Sequence, residues 1–166
     1  PLEAGSFVLS WTDESTPATG FDIHARIYDA NGTPISSEFV VNNALSSYQS
    51  YPSGVALPDG GFFITWQDHS ASDGTEISVY GQQYDAAGNA VGSNFVIHST
   101  NINREQHPDI ELLADGSVIV AYSGDASTTN SDIYVQKLNL IDDGEVYAPS
   151  ISAATVSGQL TITDPD

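Results

Sequence analysis

Two groups of side chains in this sequence are of types that could do chemistry. The first is a set of carboxylates, Asp13, Glu14, Asp68, Asp73, Glu76, Asp125 and Asp132, in or beside stretches rich in Ser, Thr and Asn. Carboxylate, hydroxyl and amide oxygens are the ligands of hard cations, so Ca²⁺ is the ion such a set would hold. The second group is Tyr48, Tyr51, Asn101, Arg104 and His107. An aromatic ring covers the apolar face of a sugar while neighbouring amides and charges take its hydroxyls, which suits this group to a glycan. Each group has a plainer reading. Asp and Asn are turn formers and solvated charges, and Tyr51 and His107, each followed by a proline, serve equally as packing and turn residues.

Catalysis has little support. There is no Gly-x-Ser-x-Gly elbow, no His-Glu-x-x-His pair and no phosphate loop. The four histidines (His24, His69, His98, His107) are scattered along the chain. A pair of carboxylates for glycoside cleavage needs a set distance between them, which spacing in sequence does not provide. The expectation is therefore a non-enzymatic chain. Its 22 acidic and three basic residues (Arg26, Arg104, Lys137) give a net charge of −19. Such a surface repels phosphate backbones and anionic lipids, which argues against nucleic acid and against membranes as partners, and it attracts cations. Without cysteine there are no disulfides, thiolate nucleophiles or Cys-type zinc sites. No apolar run reaches the ~18 residues of a membrane span. The chain has no methionine and begins in mid-pattern at Pro1, as a piece of something longer would.

The elements that must position these groups are strands. Gly5-Ser6-Phe7-Val8-Leu9-Ser10-Trp11, Gly60-Gly61-Phe62-Phe63-Ile64-Thr65-Trp66 and Gly116-Ser117-Val118-Ile119-Val120-Ala121-Tyr122 repeat one pattern at spacings of 55 and 56 residues. Alternation puts Phe62, Ile64 and Trp66 on one face of a strand. The second position is also apolar in every copy (Val8, Phe63, Ile119), which predicts that the other face is covered too. The first copy reads as strands at about 6–12, 21–28 and 34–42, with a turn at Asp29-Ala30-Asn31-Gly32. The second reads as 52–57, 62–67, 76–84 and 90–98, with the matching turn at Asp85-Ala86-Ala87-Gly88. The third runs from Pro108 to Tyr122, crosses a loop at 123–131, and continues over 133–138; its fourth strand is short or lost.

Self-similarity at this period, with four strands per repeat, predicts an all-β array of four-stranded antiparallel blades, propeller-like, about three to the chain. The repeats fall at about 1–50, 51–106 and 107–147. A β-sandwich is the alternative. Small residues at Ala25 and Gly81, equivalent in the third strands, fit close approach of sheets. Three blades do not close a ring of roughly four to eight. The first copy lacks its first strand, and residues 148–166 have the spacing of a spare strand pair. The expectation is that this pair completes a broken blade, with a homodimer closing a six-bladed ring.

The run Leu57-Pro58-Asp59-Gly60-Gly61-Phe62-Phe63-Ile64-Thr65-Trp66, followed by Val79-Tyr80-Gly81-Gln82-Gln83-Tyr84-Asp85-Ala86-Ala87-Gly88-Asn89-Ala90-Val91-Gly92, resembles a repeat of very large secreted bacterial proteins. Those proteins also carry RTX-type, cadherin-like or VCBS modules. The resemblance covers about residues 5–140. The tail Ser157-Gly158-Gln159-Leu160-Thr161-Ile162-Thr163-Asp164-Pro165-Asp166 is also similar to the opening of a VCBS-like domain, which would end the present domain near Tyr147. The resemblance implies a secreted, extracellular adhesion or interaction module that meets a cell-surface glycan or protein. The nonapeptide calcium motif of RTX repeats is not in this chain. A glycan-binding lectin and a non-catalytic portion of a secreted hydrolase are the alternative functions.

Overall fold

The structure, a computed structural model, describes residues 2, 5–15, 20–43, 47–70, 76–97, 104–127, 130–140 and 152–155. Its strands form three antiparallel sheets that follow one another along the chain. The first holds β1 (Phe7–Asp13), β2 (Asp22–Tyr28) and β3 (Phe39–Val40), in that order. The second runs β4 (Gln49–Ala56), β5 (Phe62–Asp68), β6 (Ser78–Tyr84) and β7 (Ala90–Val96). The third runs β8 (Glu105–Leu112), β9 (Val118–Ser127), β10 (Asn130–Leu138) and β11 (Ser152–Thr155).

The middle sheet is covered on both sides. Phe62, Ile64 and Trp66 pack with Ile23, Ala25 and Ile27 of the first sheet and with Val41, which follows β3. Phe63, one position out of phase, packs with Val79, Ile97 and, from the third sheet, Ile110, Val118, Val120 and Tyr122. Every residue of β5 is buried, which the period-two pattern anticipated. The large aromatics occupy matching places: Trp11 pairs with His24, Trp66 with Tyr80 and Tyr122 with Tyr134. The three ring pairs lie 6.1, 6.1 and 5.8 Å apart. Arg26, Gln82 and Gln136 also match. Each donates a side-chain N–H to a backbone carbonyl, of Ser36, of Gln83 and Val91, and of Lys137 respectively.

The outer sheets each keep one broad face open. Leu9 is 50% exposed, whereas its counterpart Ile64 is fully buried. On the far side Ile133 is 57% exposed against 0% for its counterpart Val79.

Several boundaries differ from expectation. The strand read over 34–42 shrinks to Phe39–Val40 plus an isolated bridge from Pro34 to Tyr28. Pro34 has no N–H to donate, and the Ser36 hydroxyl accepts the Ile27 N–H in place of a backbone carbonyl. The loop read over 123–131 is mostly strand, because β9 continues to Ser127 and β10 begins at Asn130. The first strands of the second and third sheets start earlier, at Gln49 and Glu105. The fourth strand of the third sheet is β11, paired with β10 through Tyr134–Thr155 to Lys137–Ser152; the rest of the tail lies outside the described residues. Ala25 is buried between sheets, but Gly81 has a nearer reason for its size. A Cβ there would stand 2.5 Å from the Phe63 ring and 2.9 Å from Ile97 Cδ1.

The turns repeat in detail. Asp29 Oδ1 accepts the N–H groups of Asn31 and Thr33, and Asp85 Oδ1 those of Ala87 and Asn89. These bonds hold both carboxyls below the usual range, led by Thr33 N–H for Asp29 and the Asn89 side chain for Asp85. At the other extreme, burial pushes the Tyr122 phenol up to about 12, with Glu105 adding to it, and burial also raises Tyr84. The unfolded phenols ionise near the ordinary value of about 10. Their contribution is therefore whole below that pH and is lost as pH rises through the raised native values. The urea midpoint should hold steady up to that pH and fall beyond it, and less steeply in Tyr122→Phe. An equally steep fall in the variant would show that this phenol has no part in it.

Candidate functional site: an aromatic cleft between the first two sheets

Three junctions between strands meet at one end of the stack. The His69 N–H donates to the Tyr48 carbonyl at 3.0 Å, and one repeat later the Asp125 N–H donates to the Arg104 carbonyl at the same distance. Between the first and second sheets this meeting leaves an open cleft of about 570 Å³. Phe21, Tyr48, Tyr51 and Pro52 supply its apolar wall, and Thr12, Glu14, Ser50 and His69 its polar groups.

A buried polar network fixes these residues. Asn42 Nδ2 donates to Asp22 Oδ1 at 2.8 Å and to Gln49 Oε1 at 3.3 Å, and Gln49 Nε2 donates to Asp68 Oδ2 at 3.3 Å. All four residues are buried. Each of the last three adjoins a cleft residue: Asp22 follows Phe21, Gln49 stands between Tyr48 and Ser50, and Asp68 precedes His69. The Gln49 N–H also bonds the Phe21 carbonyl at 2.9 Å. Buried polar groups that satisfy one another specify a single arrangement, and here the arrangement is that of the cleft wall.

Tyr51 is held out by its backbone. Its φ is +54° and that of its counterpart His107 is +53°. Both sit where the ladder slips register, between Ser50 and Ser53 in one strand and between Gln106 and Asp109 in the other. A left-handed conformation costs a non-glycine residue about 1–2 kcal/mol, and strain of this kind gathers at functional sites. The Tyr51 ring stands edge-on to the His107 ring at 4.7 Å, yet the residue is 56% exposed. Tyr48 is 51% exposed and meets Phe21 edge-on at 5.0 Å.

Burial lowers the pKa of His69 from the ordinary value; Asp68 opposes the shift and Arg104 adds to it. Its Nε2 lies 2.7 Å from Gln67 Nε2, so the amide donates and the ring nitrogen accepts. Gln67 Oε1 in turn accepts the His107 N–H at 3.2 Å. Tyr51, His107, Gln67 and His69 thus form one connected rim.

The residues singled out in sequence divide between two fates. Tyr48 and Tyr51 line the cleft, and His107 supports it. Arg104 instead pairs with Glu76 at 2.6 Å, both half exposed. Asn101 and Asp73 lie outside the described residues. Of the carboxylates read as calcium ligands, Glu14 turns out to line the cleft. Asp13 bonds Ser15 Oγ and lies 3.5 Å from His24 Nε2, and Asp68 belongs to the buried network. Asp125 is half-buried in β9, and Asp132 is exposed in β10. Among the described residues no three acidic or histidine side chains converge on a point that would hold a metal ion. The calcium expectation therefore rests on the sequence alone. Phe21, Ser50, Pro52, Thr12 and His69 were not read as site residues. The spacing that equates Phe21 with Ile77 and His69 with Asp125 was the available signal, and it locates junctions rather than cavities.

No protein-family model and no curated protein matches the chain. Solved structures do share its fold. An endo-arabinase from Bacteroides thetaiotaomicron is 13% identical over 95% of this chain, with a TM-score of 0.55. An endo-1,4-β-xylanase from the same organism is 11% identical over 92%, with a TM-score of 0.51. The chain spans 60% of the first of these and 55% of the second. A fucose lectin from Kordia zhangzhouensis, in complex with methyl-fucoside, is 13% identical over 93% of this chain and is itself 95% covered, with a TM-score of 0.51.

Proposed function

We propose that this chain is a non-catalytic carbohydrate-binding module and that the cleft between the first and second sheets is its sugar site. One observation carries the reading: an open cavity with exposed Tyr48 and Tyr51 on its wall, Tyr51 being held there against its backbone preference. Exposed rings supply stacking area for a pyranose at little entropic cost, and Thr12, Ser50, Glu14 and His69 offer donors and acceptors for its hydroxyls. The lectin of similar size and the two polysaccharide-degrading enzymes support the reading through their fold. Exported, adhesive use in a larger protein, as the repeat resemblance implies, belongs to the same proposal. The test is a glycan array read with the parent chain and with Tyr48→Ala and Tyr51→Ala. Retention of a defined glycan set by the parent, lost in both variants, is expected. Silence of the parent, or variants that bind like it, would overturn the reading.

The sheets belong, on this proposal, to a propeller-like ring completed by a second copy of the chain. The open faces around Leu9 and Ile133 are the counterparts of faces that neighbouring sheets cover in the middle of the chain. Light scattering should give the mass of a dimer, and Leu9→Asp that of a monomer. A monomeric parent at high concentration would contradict the ring.

A further inference from the structure

The chemistry of the cleft narrows the kind of sugar. Among the described residues, three aromatic rings (Phe21, Tyr48 and Tyr51) and one carboxylate, Glu14, line it, and no lysine or arginine does. His69 accepts the Gln67 amide N–H at its Nε2, which a protonated ring could not do. Arg104, whose charge acts on His69, is engaged by Glu76 at 2.6 Å. The chain as a whole carries −19.

We infer that the cleft selects a sugar bearing a protonated amine, a hexosamine whose nitrogen is not acylated. An ammonium gains from ring faces through their quadrupoles and from a carboxylate by direct pairing. A uronate or a sulfated sugar would meet Glu14 and the negative field, and Arg104, the cation whose charge reaches His69, is already paired with Glu76. A neutral sugar would leave the carboxylate as a hydroxyl acceptor only. The net charge also concentrates cationic ligands near the surface, an effect that salt screens within about 10 Å at moderate ionic strength.

This inference rests on the carbohydrate reading, and its test separates the two. The intact chain is titrated calorimetrically with a tetramer of glucosamine and with the tetramer of N-acetylglucosamine, at low and at high salt. The free-amine tetramer should bind about tenfold more tightly at low salt, as expected of a cation set against aromatic rings. Glu14→Gln should erase most of that preference, because the ammonium loses its charge partner and the acetamide has none to lose. Glu111→Gln, at an exposed position of β8, should leave the preference intact, because a surface charge outside the cleft lining is screened. Equal affinity for the two tetramers, or a preference that survives Glu14→Gln, would overturn the inference and leave the sugar site standing. If neither tetramer binds and the array is also silent, the carbohydrate reading falls and the inference falls with it.

Discussion

Trp66→Ala is expected to lower the unfolding free energy by about 3–5 kcal/mol, the usual range for emptying a fully buried large aromatic site. That is a large share of the 5–15 kcal/mol typical of a whole domain. Trp66 is wholly buried where the first and second sheets meet, stacked with Tyr80 6.1 Å away. Trp11, its counterpart in the first sheet, lies on the open face, and Trp11→Ala should cost less than half as much. Trp66→Phe separates volume from polarity. The indole N–H of Trp66 has no acceptor among the described residues, so its removal takes away an unpaired buried donor, and the ring that remains keeps most of the packing. Urea unfolding of the three variants should rank Ala far below Phe at position 66. Similar losses for Trp11→Ala and Trp66→Ala would mean that the two faces are equally covered.

The second large effect is on binding. Tyr51→Gly should abolish retention on the glycan array while leaving stability within about 1 kcal/mol of the parent. Glycine enters the left-handed region freely, which returns about the 1–2 kcal/mol that tyrosine spends there. Lost contact with the His107 ring, worth about 0.5–1.5 kcal/mol, and the added freedom of the unfolded chain offset that gain. An aromatic residue whose removal destroys binding and leaves the fold untouched is held in place for a ligand. A marked fall in melting temperature, with binding intact, would make Tyr51 a packing residue instead.

Much of the fold was legible because its cause is local. Glycine turns followed by alternating apolar residues give the strand, and apolar residues at both phases of Phe62–Trp66 show that neither face is wet. The Asp29 and Asp85 turns were legible for the same reason. What escaped depends on long-range pairing. Ser152–Thr155 became the fourth strand of the third sheet by pairing with β10, which no spacing rule requires. Pro34 and Ser36 broke the strand expected there, Pro34 by lacking an N–H and Ser36 by taking the Ile27 N–H on its side chain. The candidate site was half legible. Tyr48 and Tyr51 stood out as aromatics in a polar junction, but Glu14 was read only as a cation ligand, because chemistry alone does not distinguish a cation ligand from the wall of a cleft. Phe21 and His69 join the site only because Asp22, Asn42, Gln49 and Asp68 knit three distant segments together beneath it.

The most direct measurement is an amide NMR titration of the parent chain with the glycan that the array retains best. Saturable shifts should be confined to Thr12–Glu14, Phe21, Tyr48–Ser53 and His69, with little change along β9 and β10. Saturable shifts centred on Leu9 or Ile133, with the amides around Tyr48 and Tyr51 unmoved, would contradict the assignment of the cleft as the sugar site.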